Sequence, residues 1–74
     1  MIPNKDDHNW KRLVKGDING SFSAVPAQMA LSRLRRSIDQ DPSTKNIADA
    51  AEYLHEFCMK YELLVKDDLK RMFT

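Results

Sequence analysis

Residues 44–61 repeat their apolar side chains with the period of an α-helix, and this stretch constrains the fold more than any other. The apolar positions recur at i, i+3, i+4 and i+7, a spacing that the alternation of a β-strand cannot produce. They lie within about 60° of Leu54 on a helical wheel, and they are Ile47, Ala50, Ala51, Leu54, Phe57, Cys58 and Tyr61. Ser43 or Thr44 can cap the first turn. The pattern predicts a central amphipathic helix over about residues 44–62, whose apolar side the rest of the chain must cover.

A first, shorter helix is predicted near the start of the chain. Asp6 or Asp7 can cap a helix over residues 8–15, which places Trp10 on its apolar face and stops at Gly16. Residues 1–6 have no periodicity, and we expect them to fray because chain termini do so unless they are tied down.

A second helix is predicted over residues 26–39. Proline is favoured at the first helical position, so Pro26 explains the start of this helix. The residue before Pro42 is pushed out of the helical conformation, which explains the end. The connection before this helix contains Asn19-Gly20, a pair typical of turns because both residues tolerate positive φ. We expect apolar residues of the connection to reach the core, and these are Ile18, Phe22 and Val25.

The end of the chain is predicted to form one more helical turn or two. If the central helix continued without interruption, Asp68 would fall inside its apolar stripe. A break near Lys66, with Asp67 capping the last turns, avoids that burial. The whole chain is therefore predicted to be all-α, a small bundle of three to four short helices forming one domain over residues 1–74.

Catalytic and metal-binding chemistry find little support in the sequence. Glu52 and His55 form one Glu-x-x-His pair, but a di-iron bundle needs two such pairs and two further glutamates. Cys58 lies in the apolar stripe, where its thiolate is disfavoured, and two glycines are too few for a phosphate-binding loop. We expect no enzyme activity, no metal or other cofactor and no small-molecule substrate.

Positive charge is concentrated in the first half of the chain. Residues 1–36 contain seven Lys/Arg and three Asp, whereas residues 37–74 contain five Lys/Arg and eight Asp/Glu, so the halves carry +4 and −3. The two halves either attract each other within one fold or present two functional faces of opposite sign. If the first two helices pack side by side, one basic surface can form from Lys11, Arg12, Lys15, Arg33, Arg35 and Arg36.

Three apolar side chains fall outside the stripes of their helices. Met29 and Met59 lie on the polar sides, and Tyr53 lies on the flank of the central helix. Methionine is frequent at protein-binding surfaces because its side chain adapts to a partner. The first hypothesis is thus a small module that binds another protein or a second copy of itself. The alternative is a nucleic-acid-associated regulator that uses the basic residues.

The cellular setting is predicted from what the chain does not carry. No apolar run approaches the 18 residues of a membrane span, and the polar N-terminal residues lack the apolar segment of a secretory signal. A chain with a single cysteine cannot form an internal disulfide, which is typical of proteins in a reducing compartment. We therefore expect a cytoplasmic protein without a membrane partner.

Overall fold

Four helices follow one another in the computed structural model, which describes residues 2–18 and 20–73. They are α1 (Asn9–Lys15), α2 (Val25–Gln40), α3 (Thr44–Lys60) and α4 (Glu62–Met72). No strand occurs within these residues, so the all-α prediction is confirmed. The predicted central helix is also confirmed, because α3 packs against each of the other three helices.

The apolar side of α3 forms the middle of the core. Its first turn is capped by Ser43, whose Oγ accepts a hydrogen bond from the Asn46 backbone N–H at 3.1 Å. Leu54 and Cys58 are completely buried, and Ala50 and Ala51 are nearly so. The helix ends at Tyr61, where the backbone leaves the helical conformation.

Helix α1 is held at both ends by the residues that the sequence indicated. The Asp7 carboxylate accepts a hydrogen bond from the Asn9 N–H at 2.9 Å, and Gly16 ends the helix with a left-handed φ of 88°. Between them Trp10 is fully buried, with the ring of His55 packed edge-on at a centroid distance of 5.2 Å. This contact binds α1 to α3.

The residues before α1 make specific contacts with the bundle. The Asn4 carbonyl accepts hydrogen bonds from the Trp10 indole N–H at 3.0 Å and from the Asp7 N–H at 2.9 Å. Ile2 is half-buried and packs against the core. Whether residues 1–6 fray in solution stays a prediction, and these are the contacts that fraying would break.

The connection between α1 and α2 contributes unevenly to the core. Phe22 is buried and Ile18 packs against the core, as predicted. Val25 instead begins α2 and is 61% exposed, so its predicted core position is wrong. It lies about 160° around the helix from the buried Ala27, because successive residues turn by 100°. The predicted turn at Asn19-Gly20 includes Asn19, which lies outside the described residues.

Helices α2 and α3 are joined by a short link that a side chain closes. The Asn46 amide donates hydrogen bonds to the carbonyl oxygens of Ser37 at 3.2 Å and Asp41 at 2.7 Å. The Asp41 carbonyl lies just past the end of α2, whereas the Ser37 carbonyl also accepts the Asp41 backbone N–H at 3.0 Å. The Asn46 bonds place one side of α3 next to the end of α2.

The prediction for the last helix is wrong in two respects. The break falls at Tyr61 rather than near Lys66, and Asp67 is exposed within α4 instead of capping it. Asp68 is buried, with 4% of its surface exposed. Its carboxylate is tolerated there because it accepts hydrogen bonds from Ser23 and Arg71. Leu69 is buried beside it, and Met72 and Phe73 pack against the core.

Candidate protein-binding surface

Large apolar side chains remain on the surface after the core has closed. Each is more than half exposed, and in the described part of the chain they are Val25, Met29, Tyr53, Met59, Leu63 and Leu64. Scattered apolar residues on a surface need no explanation, whereas a contiguous group indicates a binding site. The question is therefore which of them lie together.

Tyr53 lies on the side of α3 that faces α2. Asn46, Tyr53 and Phe57 fall within about 40° of one another on the helical wheel, and Asn46 bonds directly to Ser37 of α2. Tyr53 is 51% exposed and Phe57 is half-buried, so this side of α3 is only partly covered by α2.

Met59 lies on a different flank of α3 from Tyr53. It follows His55 by one helical turn, and His55 packs against Trp10 of α1. Tyr53 and Met59 are therefore separated by about 120° around the helix. The two residues that the sequence proposed for one interface lie on different flanks, which makes them useful as a matched pair in experiments.

A surface groove runs along α3 beside Tyr53. We call it the aromatic groove, and it is lined by Tyr53, Glu56, Phe57, Lys60 and Tyr61. The rings of Phe57 and Tyr61 contact each other with centroids 4.7 Å apart and a tilt of 39°. The Lys60 ammonium lies 5.4 Å from the Tyr61 ring centroid, a cation–π distance. The groove thus combines an aromatic floor with one acidic and one basic side chain.

Two exposed leucines follow the groove at the start of α4. Leu64 donates its backbone N–H to the Tyr61 carbonyl at 2.9 Å, so it stands one turn beyond the groove. Leu63 is 88% exposed and Leu64 is 57% exposed, whereas the next residue, Val65, is completely buried. A helix can turn only one of three consecutive side chains fully toward the core. Leu63 and Leu64 therefore follow Tyr61, the last residue of the aromatic groove, and stay on the surface while Val65 enters the core.

The chain matches no known family. Comparisons with curated proteins and with solved structures also find no match. None of the helices in the described residues combines the length and the apolar character needed to cross a membrane.

The arginines of α2 have different surroundings. Arg33 and Arg36 line a shallow depression on its outer side, together with Met29, Gln28 and Ser32. Arg35 is half-buried instead, and its guanidinium donates two hydrogen bonds to the Leu13 carbonyl at 3.1 and 3.3 Å. That carbonyl lies in the last turn of α1, where a cation is favoured by the helix dipole. Arg35 therefore fastens α2 to α1.

The basic residues of α1 have polar or acidic neighbours. Lys15 pairs with Asp17 at 3.5 Å, and Arg12 donates to the Asn9 side chain at 3.3 Å. Lys11 lines a depression between α1 and α3 that also contains Glu52. The two contacts of Lys15 and Arg12 lie within the first half of the chain, and only Lys11 is placed near an acidic residue of the second half. Attraction between the two halves stays a prediction. A single basic surface that includes Arg33 and Arg36 stays a prediction.

The residues considered for metal binding or catalysis differ in burial, because Cys58 and His55 are buried and Glu52 is exposed. Burial raises the pKa of the Cys58 thiol from 9.0 to about 12, so the thiol stays neutral. His55 is packed against Trp10, and Glu52 is exposed. Within residues 2–18 and 20–73, no three His, Cys, Asp or Glu side chains are grouped as metal ligands would be.

Sequence reasoning identified Tyr53 but missed most of this surface. Phe57 lies at the edge of the apolar stripe and Tyr61 lies about 20° from its centre, yet both are only half-buried. Leu63 and Leu64 belong to a run of three apolar residues, 63–65, which sequence reasoning did not assign to the surface. The available signal was the run itself, because three adjacent apolar residues on a helix cannot share one face.

Proposed function

We propose that this protein is a small, non-enzymatic helical module that binds another protein chain through the aromatic groove and the adjacent Leu63 and Leu64. The observation that carries the proposal is the 88% exposure of Leu63 next to the half-exposed Leu64, directly after the aromatic groove. Burial of apolar surface contributes about 25 cal/mol of favourable free energy per Å², and side chains left in water forgo this contribution. A partner that covers them recovers it.

The composition of the groove suits a protein partner. Aromatic side chains with a polar tip are enriched at interfaces, since they combine a large apolar area with hydrogen-bonding capacity. Tyr53 and Tyr61 have that form, and Glu56 and Lys60 provide charged groups at the rim. The unpaired, buried Cys58 thiol is compatible with a reducing, cytoplasmic setting, which we include in the proposal.

Site-specific photo-crosslinking tests this assignment. A photoreactive benzoylphenylalanine is placed at Tyr53 in the full chain, and at Met59 in a control of similar exposure on the other flank of α3. We expect a covalent adduct with a protein chain from position 53, lost when Leu63 and Leu64 are changed to serine, and none from position 59. Equal adducts from both positions, or none from either, would contradict the proposal.

A second candidate function rests on the depression that holds Arg33 and Arg36. No carboxylate lines it, and in the described structure neither arginine has an ion-pair partner. Guanidinium groups free of carboxylates suit the phosphates of a nucleic acid. This candidate keeps the alternative hypothesis from the sequence, restricted to the two arginines on the outer side of α2.

Fluorescence anisotropy with labelled DNA and RNA duplexes tests the second candidate. Binding should weaken steeply with salt and be lost in the Arg33→Glu/Arg36→Glu variant. A Lys66→Glu/Lys70→Glu variant on α4 changes the net charge equally and serves as the control. If both variants weaken binding to the same extent, the depression is not a specific site, and the net charge of the protein alone determines its binding to nucleic acid.

A further inference from the structure

We infer that the occupant of the aromatic groove is a second copy of this chain, bound with its α3 antiparallel to the first. The inference rests on the proposed function, because it uses the same groove and identifies its partner.

Glu56 and Lys60 are one helical turn apart, yet they do not pair with each other. Glutamate followed by lysine at i+4 is the spacing that favours an ion pair within a helix. Elsewhere in α3 the i, i+4 spacing in the reverse order pairs Lys45 with Asp49 at 3.0 Å, whereas the Lys60 ammonium lies over the Tyr61 ring. Glu56 therefore borders the groove with no ion-pair partner among the described residues.

A two-fold axis gives both charges a partner at once. If the axis passes between the two copies of α3, at the level of Cys58 and at right angles to both helices, residue 56 of each copy stands level with residue 60 of the other. The same axis keeps each flank of α3 beside the same flank of the second copy. Glu56 then faces Lys60 of the second copy on both sides of the axis, and these two ion pairs specify the antiparallel direction.

The same axis matches the apolar groups. Because the two helices run antiparallel, Tyr53 of one copy lies toward the C-terminal end of α3 in the other, which is the end that Leu63 and Leu64 follow in the chain. Both ends of the groove are covered in this way, because a two-fold interface uses one self-complementary patch twice. With a net charge of +1, the two chains have little overall repulsion to overcome.

The expected dimer is weak. The patch holds fewer side chains than the 20 to 30 residues, or ~800 Å² per partner, of a standard interface. We therefore expect a dissociation constant of about 100 µM. With a dissociation constant of that size, the fraction of dimer changes over protein concentrations that solution experiments can reach.

Sedimentation equilibrium of the full chain from about 10 µM to 1 mM tests the inference. The single changes Glu56→Lys and Lys60→Glu should each weaken dimerisation at least about tenfold, since each places like charges opposite each other. The combined variant Glu56→Lys/Lys60→Glu should restore it to within about threefold, because the exchanged charges are again complementary. Asp39→Lys, an exposed position at the end of α2 with the same charge change as Glu56→Lys, should have no effect. Circular dichroism checks that each variant is folded.

Two results would overturn the inference. One is a wild-type chain that stays monomeric at about 1 mM, and the other is a dimer whose strength ignores the charge reversals, which would place the contact elsewhere. The photo-crosslinking separates the two proposals. A monomeric chain that crosslinks from position 53 to a different protein overturns the dimer and supports the proposed function, whereas a monomeric chain without adducts overturns both.

Discussion

The Asp68 carboxylate accepts two hydrogen bonds from Ser23, one from its backbone N–H at 2.7 Å and one from its hydroxyl at 2.9 Å. These residues are 45 positions apart, and their contact fastens α4 to the segment that leads into α2. Arg71 adds a third bond to the same carboxylate at 3.1 Å and also donates to the Ser21 carbonyl at 3.0 Å. The negative charge also lies near the start of α2, where the helix dipole favours it.

Replacing Asp68 should destabilise the fold strongly. Asp68→Ala leaves the Ser23 N–H and hydroxyl without their partner, and we expect a loss of about 2–4 kcal/mol in the free energy of unfolding. Urea unfolding followed by circular dichroism measures it. Asp67→Ala is the matched control, because Asp67 is exposed and should change stability by no more than about 0.5 kcal/mol. Equal effects of the two changes would show that the Ser23 contact is not formed in solution.

Arg35 should act on stability, unlike its neighbour Arg36. Arg35→Ala removes two hydrogen bonds to the Leu13 carbonyl, and we expect it to lower the free energy of unfolding by about 1–2 kcal/mol. Arg36→Ala should have almost no effect, since Arg36 is exposed. Chemical unfolding of the two variants compares them. A greater loss for Arg36→Ala would contradict the assignment of Arg35 as the link between α1 and α2.

Replacing Gly16 should destabilise the fold because of its backbone conformation and not because a side chain would clash. Its φ of 88° is strained for a residue with a side chain, whereas an added Cβ would meet only the Arg35 Nε, at 3.9 Å. Gly16→Ala is expected to cost about 1 kcal/mol, and Gly16→Asn less, because asparagine tolerates the left-handed conformation better. Thermal unfolding of both variants provides the comparison. An alanine variant as stable as wild type would mean that α1 ends differently in solution.

The Cys58 thiol should be unreactive in the folded protein. Its pKa is raised to about 12 by burial, so the thiolate that reacts with disulfide reagents is about a thousandfold scarcer at pH 8 than for a pKa of 9.0. We expect labelling with Ellman's reagent to be slow in buffer and fast in urea. Rapid labelling in buffer, at the rate of the unfolded chain, would show that Cys58 is accessible.

The same shift makes stability depend on alkaline pH. Because the folded-state pKa is raised, the folded protein holds its proton where the unfolded chain has released it. The contribution of the neutral thiol is complete below pH 9.0 and is lost progressively as the pH rises from 9.0 toward about 12. A Cys58→Ala variant should lack this part of the alkaline destabilisation, which urea unfolding at several pH values would reveal.

The sequence by itself determined the helices and most of the core. The apolar period around Leu54, the Ser43 cap and the Gly16 stop are properties of residues within a few positions of one another. Hydrogen bonds and side-chain spacing of that kind act within one or two helical turns, so they operate before any tertiary contact forms. The burial of Trp10 followed from the same local pattern.

Tertiary structure alone decided the role of the polar residues and the extent of the surface. Asp68 is buried because Ser23 approaches it from 45 residues away, and Arg35 bonds to Leu13 across 22 residues. Tyr53 and Phe57 remain partly exposed because α2 covers only part of that side of α3. The free energy of burying a charge or exposing an aromatic ring depends on which groups the other helices bring near, and a local pattern does not contain that information.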